Sequence, residues 1–242
     1  HCIQLPTTKT RDGVIGLRDF RGEIIRAFQD EGWIYHSEVC IRKDPVAAMQ
    51  RSKSIGLLHK QVCKDSALSR MAIADYVVTM RKPGDNPEPI AGAFNVYYGT
   101  EATEDGGLAS GTGKLRTTNY PGDNWYSVAV WQRYADPVWT DINPSDVLSR
   151  TLAREERDER HISPLQLTVI RRCIDLWSNP GDTVYSPFAG IGSELYCAVE
   201  AGRKAIGAEL KASYFKQAVA NLRDVESRSK EATLFDALDA AE

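Results

Sequence analysis

The spacing of apolar residues along the chain switches between a helical and a strand-like period. In the stretch from Asp19 to Glu31, the apolar residues Phe20, Ile24 and Phe28 recur every three to four positions. Three later stretches share this period, and the pattern predicts helices over residues 19–31, 164–177, 193–201 and 213–225. Short runs rich in β-branched and aromatic residues predict strands over residues 33–41, 74–81, 183–186 and 204–210.

The order of these elements indicates the fold class. From residue 164 onwards the predicted order is helix, strand, helix, strand, helix, which is typical of α/β layers built on parallel strands. Between residues 83 and 150 the regular spacing gives way to glycine, asparagine, threonine and aromatic residues, which predicts a loop-rich insertion rather than a linker. We therefore expect an α/β core divided between residues 1–82 and 151–242, with residues 83–150 inserted between the two parts.

Composition and charge narrow the class of protein. The chain has 242 residues, of which 42% are apolar and 26% charged, and its formal net charge is −3, which argues against a wholly basic nucleic-acid binder. No apolar run approaches the roughly 20 residues that span a bilayer, so no membrane partner is expected. The five cysteines include no C-x-x-C pair. We therefore expect no metal site and a reducing, cytoplasmic environment.

The most informative stretch begins where a predicted strand runs into the glycine-containing residues 188–192 and a predicted helix follows. Glycine allows a sharp turn and a close backbone approach to a ligand, and the helix start adds free N–H donors. The next predicted strand leads to Glu209, whose carboxylate can accept hydrogen bonds from both hydroxyls of a ribose. This arrangement predicts an adenosine site, the structural alternative being a tight turn beside an exposed glutamate. A dinucleotide site needs a third small residue where this chain has Leu195, which favours S-adenosylmethionine over NAD or FAD.

The same stretch resembles two motifs of the β-group DNA amino-methyltransferases. Residues 186–194 read S-P-F-A-G-I-G-S-E where the family commonly has D-P-F-x-G-x-G-T-T, and G-A-E at residues 207–209 precedes a tyrosine, as in the family. Upstream, R-H-I-S-P-L-Q-L at residues 160–167 resembles the segment that holds the methionine end of the cofactor in that family. The resemblance implies cofactor contacts from His161, Pro164, Leu165, Gln166, Ser186, Pro187, Phe188, Ala189, Gly190, Gly192, Ser193, Glu209 and Tyr214.

The resemblance extends to the N-terminal part and implies a fold and a reaction. Residues 1–90 resemble the strands that follow the catalytic motif in phage-type DNA methylases, which are sometimes fused to a helicase. The implied fold is a three-layer, Rossmann-like, S-adenosylmethionine-dependent methyltransferase fold in which residues 83–150 take the place of a target-recognition region. The implied reaction is methyl transfer to the exocyclic amine of adenine (N6) or cytosine (N4) in double-stranded DNA, in a bacterial or phage-infected cell. The implied partner besides DNA is a fused or separate helicase, or the missing N-terminal segment.

Two departures from the family pattern concern the chemistry. Ser186 replaces the aspartate that opens the glycine motif, so a charged contact to the cofactor is lost. The catalytic motif, D/N/S-P-P-aromatic, holds the amine and stacks on a flipped base in such enzymes, and the sequence lacks it. The nearest match, residues 136–139, supplies Asp136, Pro137 and Trp139 as catalytic candidates, but it lacks the second proline and lies where the family has a connector. We therefore expect the catalytic motif to precede His1 and the isolated chain to be inactive.

A basic segment offers a candidate DNA contact. Residues 43–71 carry six basic residues against Asp44 and Asp65, and lysine and arginine can follow a phosphate backbone. The alternative is a solvated helical surface. The candidates are Lys43, Arg51, Lys53, Lys60, Lys64 and Arg70.

Two other functions fit these residues. The same cofactor site could serve an RNA or protein methyltransferase, or the chain could be a non-catalytic DNA-binding or partner subunit that keeps a vestigial pocket. The sequence upstream of His1 discriminates between them, because a D/N/S-P-P-aromatic motif there supports the enzyme.

Overall fold

A computed structural model describes residues 2–4, 7–9, 15–17, 19–52, 57–64, 71–85, 131, 133–149 and 164–239. Contacts divide the chain into two compact units. The first comprises His1–Pro87 and Ala135–Ile142, and the second comprises Glu88–Tyr134 and Asn143–Glu242. The sequence assigns residues 135–142 to the insertion, whereas in the structure they join the first unit because they contain a strand of its sheet.

The first unit is a four-stranded sheet with helices and a small strand pair. Its elements are β1 (Cys2–Gln4), β2 (Thr7–Lys9), β3 (Ile15–Leu17), α1 (Phe20–Asp30), β4 (Ile34–Ile41), α2 (Pro45–Ser52), α3 (His59–Lys64), β5 (Asp75–Arg81) and β6 (Val138–Trp139). The strand order is β1-β5-β4-β6, with antiparallel pairing except between β4 and β6, which are parallel. The buried residues Val39, Ile41, Val77 and Trp139 all lie on β4, β5 and β6, so the apolar core of this unit follows its central strands.

Among the described residues, the second unit has two parallel strands and three helices. Its elements are α4 (Leu167–Trp177), β7 (Thr183–Ser186), α5 (Ser193–Glu200), β8 (Lys204–Gly207) and α6 (Ala212–Asp239). β7 and β8 pair in parallel register from Thr183↔Lys204 to Ser186↔Gly207. The core cluster is made of Leu167, Ile170 and Ile174 from α4, Tyr196, Cys197 and Ala198 from α5, and Val225 from α6.

One face of the β7–β8 pair packs on this core and the other does not. Val184 and Ala205 are directly paired and pack against the core cluster, whereas the next pair, Tyr185 and Ile206, is exposed. This alternation follows from the two-residue period of side chains along a strand. Within the described ranges β7 has a strand neighbour only on the β8 side.

Four segments differ from the sequence pattern. Residues 7–17, for which that pattern predicts no strand, contain the antiparallel pair β2–β3. The basic segment forms α2 and α3, and α2 begins where Asp44 accepts the N–H of Ala47 and Pro45 opens the helix, both of which favour a helix start. Helix α6, predicted to end at residue 225, continues to Asp239 because residues 226–239 contain neither glycine nor proline. Strand β8 ends at Gly207, where its pairing with β7 ends, rather than at residue 210.

Candidate cofactor site

Residues 187–192, here called the glycine turn, connect β7 to α5 through two left-handed glycines. Gly190 has φ +54° and Gly192 has φ +84°, conformations that side-chain-bearing residues rarely adopt. A Cβ on Gly192 would lie 3.1 Å from the Cβ of Ala218, so this glycine also permits close packing on α6. A Cβ on Gly190 would meet no heavy atom within 4 Å. The space before Gly190 is therefore open, as a site that receives a ligand against the backbone requires.

Backbone hydrogen bonds fix the glycine turn to the chain that follows β8. Ala208 N–H donates to Ser186 O (3.0 Å), and Ala189 N–H donates to Ala208 O (2.8 Å). Within the turn, Gly192 N–H donates to Ala189 O (2.7 Å). Ser186, Ala189 and Ser193 are buried, so these three candidate residues act as the floor of the site.

Glu209 is the acid that the sequence predicts beside the glycine turn, and the structure brings it there. Its Oε2 accepts the N–H of Gly190 at 2.9 Å, and its Oε1 accepts the N–H of Lys211 at 2.8 Å. Each oxygen has a further lone pair, so a carboxylate held in this way can still accept two hydroxyl donors. The carboxylate is thus positioned at the edge of the open space before Gly190.

Gly207, at the end of β8, allows β8 and α5 to approach each other closely. A Cβ on Gly207 would lie 2.7 Å from Leu195 Cδ1 and 2.9 Å from Ala189 Cβ. Leu195 is buried and fills the volume that a side chain at residue 207 would need. In a dinucleotide-binding motif, the small residue that allows close packing of helix and strand is on the helix. Here that small residue is Gly207 on the strand, which leaves room for Leu195 on the helix.

Apolar surfaces flank the site. Phe188 is 85% exposed, Leu210 is fully exposed, and Pro187 is also exposed. Tyr214 is half-buried against Ile191 of the glycine turn, with the Lys211 ammonium 4.6 Å from its ring centroid. An adenine base, which needs apolar contacts on its faces, fits such surroundings.

Helix α6 contributes a contact that the sequence reasoning missed. Asn221 Nδ2 donates to Ile191 O of the glycine turn at 2.9 Å, and Gln217 Nε2 donates to Asn221 Oδ1 at 3.0 Å. The available signal was the pair of amides four residues apart on one face of the helix, Gln217 and Asn221. Asn221, which Gln217 holds in place, thus orients the carbonyl of Ile191 in the glycine turn.

One acidic group of the site lies at the start of α5. Glu194 is in the first turn of this helix, and burial raises the pKa of its carboxyl above the ordinary value. The hydrogen bond from its own backbone N–H opposes that shift. Glu194 is thus an acidic residue within the stretch 186–194, but at a different position from the aspartate that Ser186 replaces.

The upstream cofactor candidates are described in part. Pro164, Leu165 and Gln166 are half-buried and lead directly into α4, whereas His161 lies outside the described residues. Leu165 packs against the core cluster of the second unit.

The catalytic candidates of the first unit are engaged in its sheet. Asp136 Oδ1 accepts the N–H of Val138 at 2.8 Å, and the Pro137 carbonyl accepts the N–H of Cys40 at 2.8 Å. Trp139 is 1% exposed. In this arrangement its indole packs inside the sheet and has no free face for a base.

The basic candidates have different surroundings. Lys43 Nζ lies 2.5 Å from Asp75 Oδ2, which makes it an ion-pair partner within the first unit. Lys60 and Lys64 are exposed on α3. Arg51 lies in α2 with its side chain outside the described part, and Lys53 and Arg70 are also outside it.

Metal-binding clusters and membrane-spanning helices are both absent from the described part of the chain. Its residues contain no cluster of three histidine, cysteine or acidic side chains able to hold a metal ion. None of the helices in the described ranges is long and apolar enough to cross a membrane.

Comparison with known proteins places these features in a family. A candidate DNA modification methylase from Thermus thermophilus, in complex with S-adenosyl-L-methionine, superposes with a TM-score of 0.53 at 18% identity, covering 93% of this chain and 68% of that one. The cytosine-N4-specific PvuII DNA methyltransferase gives 0.52 at 14% identity, covering 94% and 68%. These likenesses assign the chain to the Rossmann-like α/β fold of S-adenosylmethionine-dependent methyltransferases. No curated protein sequence matches the chain significantly.

The sequence match is to an enzyme family, over most of the chain. Residues 15–220 match the DNA methylase family of the N6 and N4 type, a span that includes the glycine turn, Glu209 and Tyr214. DNA is the substrate of this family and S-adenosylmethionine is its methyl donor. The chain belongs to the N6/N4 family of DNA methyltransferases.

Proposed function

We propose that this chain binds S-adenosylmethionine between the glycine turn and Glu209, for methyl transfer to the exocyclic amine of adenine or cytosine in DNA. The observation that carries the proposal is the Glu209 carboxylate, which two backbone N–H groups hold at the open side of Gly190. An acceptor fixed at that position matches the two hydroxyl donors of a ribose. Bound there, the cofactor supplies an electrophilic methyl group on its sulfonium.

The remaining candidates supply the other contacts of the cofactor. Phe188 and Leu210 offer exposed apolar surface for the adenine. Pro164, Leu165 and Gln166 would bind the methionine end, as in the resembling family. The glycine turn itself contributes backbone polar groups rather than side chains, which suits a ligand held close to the chain.

The cofactor assignment is tested by calorimetric titration of S-adenosylmethionine into the protein and its Glu209→Ala variant. Losing the carboxylate should weaken binding by roughly 1–3 kcal/mol, the scale of charge-assisted hydrogen bonds. Glu226→Ala, which removes an exposed acid from the same unit, is the matched control and should bind like the unaltered chain. Equal affinity for the Glu209→Ala variant would contradict the assignment, and no binding by any of the three would indicate a vestigial pocket.

Residues 136–139 are proposed to be structural rather than catalytic. The buried Trp139 and the hydrogen bond inside Asp136–Val138 support this interpretation. The D/N/S-P-P-aromatic motif would then lie in a further segment of the full-length protein. In a radiolabelled methyl-transfer assay of the full-length gene product on DNA, Asp136→Ala should retain activity. A complete loss with unchanged cofactor binding would restore Asp136 as the residue that holds the amine.

Contact with the DNA backbone is proposed for the basic segment, with Lys60 and Lys64 as its best-placed members. Both are exposed and lie four residues apart on one face of α3. Replacing either by alanine should lower the slope of log affinity against log salt by about 1 if it neutralises one phosphate. Lys43→Ala is the matched control, because Lys43 is occupied by Asp75 and should change the slope less.

Digestion of methylated DNA to nucleosides identifies the target. N6-methyladenine or N4-methylcytosine supports the proposed reaction, whereas label confined to RNA or protein would support the other methyltransferase classes. A cytoplasmic location is also proposed, supported by the free thiols of Cys40, Cys63, Cys173 and Cys197.

A further inference from the structure

Helix α4 is capped by a residue that is distant in sequence. Its N-cap residue, Gln166, makes no side-chain cap hydrogen bond. Asp146 supplies the missing acceptors instead. Its carbonyl accepts the N–H of Leu167 (2.8 Å), and its Oδ2 accepts both the N–H (3.0 Å) and the Oγ1–H (2.5 Å) of Thr168. Two of the free N–H groups that open every helix, those of Leu167 and Thr168, are thus satisfied by a residue far upstream in the chain.

The segment around Asp146 is also connected to the glycine turn. Leu148 packs against Ile191 and against the core cluster that holds Leu165. A single short segment therefore contacts both the start of α4 and the turn between β7 and α5. Residues 164–166, the candidate contacts for the methionine end of the cofactor, directly precede the start of α4, and the glycine turn belongs to the candidate site for the adenosine end.

A charged side chain extends the network to the end of α5. Arg171 NH1 lies 3.9 Å from Asp146 Oδ2, and its Nε and NH2 donate to the Glu200 carboxylate at 2.7 and 3.0 Å. The Glu200 hydrogen bond is the main cause that raises the pKa of Arg171 above its ordinary value. Glu200 is far along the chain from residues 164–166 and, within the described ranges, joins this network through Arg171, so it offers a control.

We propose that Asp146 is a positioning residue of the cofactor site. It holds residues 164–166 in place and thereby sets the affinity for the methionine part of S-adenosylmethionine. The inference rests on the proposed function. It goes further in stating that the two ends of the ligand are held by separable parts of the second unit, one of which Asp146 controls.

The physical reason lies in the ordering of the segment before the ligand arrives. With the cap in place, the first turn of α4 is ordered. The direction in which Pro164, Leu165 and Gln166 lead into the helix is then fixed. Without the carboxylate, the N–H and the hydroxyl of Thr168 lose their acceptor, the first turn frays, and ligand binding must order the segment at a cost in affinity. The glycine turn keeps its own hydrogen bonds to Ala208 and Asn221, so the adenosine end should be unaffected.

The test compares two ligands by calorimetry, S-adenosylmethionine and 5′-methylthioadenosine, which lacks the amino-acid part. Asp146→Ala should lower the affinity for S-adenosylmethionine by about fivefold or more, on the scale of a lost helix cap, and leave that for methylthioadenosine within about twofold. Asp146→Asn keeps an oxygen acceptor for Thr168 and should restore most of the loss. Glu200→Gln breaks the other end of the Arg171 network and should leave both affinities unchanged.

The outcomes separate the two proposals. Equal losses for both ligands, or no loss for either, would overturn the positioning role while leaving the cofactor site intact. Failure of the unaltered protein to bind either ligand would instead overturn the proposed function. If Asp146→Ala does not fold, Thr168→Val removes the hydroxyl bond alone and should show a smaller selective loss for S-adenosylmethionine.

Discussion

Replacing Gly190 by alanine separates backbone strain from ligand exclusion. Gly190 has φ +54°, and a Cβ there would meet no heavy atom within 4 Å. The substitution therefore causes no clash within the protein, and its stability cost should be only that of an alanine in the left-handed region, about 1–2 kcal/mol. The added methyl group would point into the space where the proposed ligand approaches, so cofactor affinity should fall at least about tenfold, or 1.4 kcal/mol.

Gly181 provides a matched control for this change. It has φ +85°, and a Cβ there would also meet nothing within 4 Å, but it lies in the turn between α4 and β7. Gly181→Ala should cost similar stability and leave cofactor affinity unchanged. Urea unfolding gives the first quantity and calorimetric titration the second. An equal loss of affinity in both variants would show that strain, not exclusion, weakens binding, and unchanged affinity in Gly190→Ala would remove the ligand from this side of the turn.

Three further predictions concern packing, the glycine turn and pH. Gly207→Ala should destabilise the chain by about 1–3 kcal/mol through overpacking, and in urea unfolding a second change, Leu195→Ala, should couple favourably with it. Asn221→Ala removes the donor to the Ile191 carbonyl and should lower cofactor affinity in calorimetry, whereas Asn221→Gln should not restore it because the longer amide is misplaced. Burial raises the pKa of the Cys197 thiol to about 12 from an ordinary 9.0, so an unfolded chain ionises this thiol first. The free energy of unfolding should therefore fall as pH rises above about 9, and it should fall less steeply in Cys197→Ala, as measured by urea unfolding at stepped pH.

The site could be predicted from sequence where its signal is local. Thr183–Ser186 forms a strand at the predicted bounds, and the glycines and Glu209 meet as expected. Each of these features depends on residues that are close together in the chain. They are a short run of strand-forming residues, two glycines in the turn that follows it, and an acidic residue after the next strand. Physical rules that act over a few residues are sufficient for such a unit.

The contacts that complete the site have no such local signature. Asp146 caps a helix 22 residues away, and the sequence around it reads only as a polar turn. Gly207 has an ordinary strand position, and its need for a hydrogen side chain arises only because Leu195 is packed above it. From the sequence alone, Trp139 could be an aromatic residue that contacts a ligand. In the structure it is buried on β6, which pairs in parallel with β4. Tertiary packing decides all three.

Hydrogen bonds join Asp146 to the start of α4, so two points that are far apart in the chain are held together. The entropy of closing a flexible loop grows only with the logarithm of its length, so doubling it costs about 0.6 kcal/mol. The free energy of joining Asp146 to the start of α4 therefore depends only weakly on how many residues separate them in the chain. A related chain with a longer or shorter connection could keep the same cap, so the length of this connection is a poor guide to whether the contact is present.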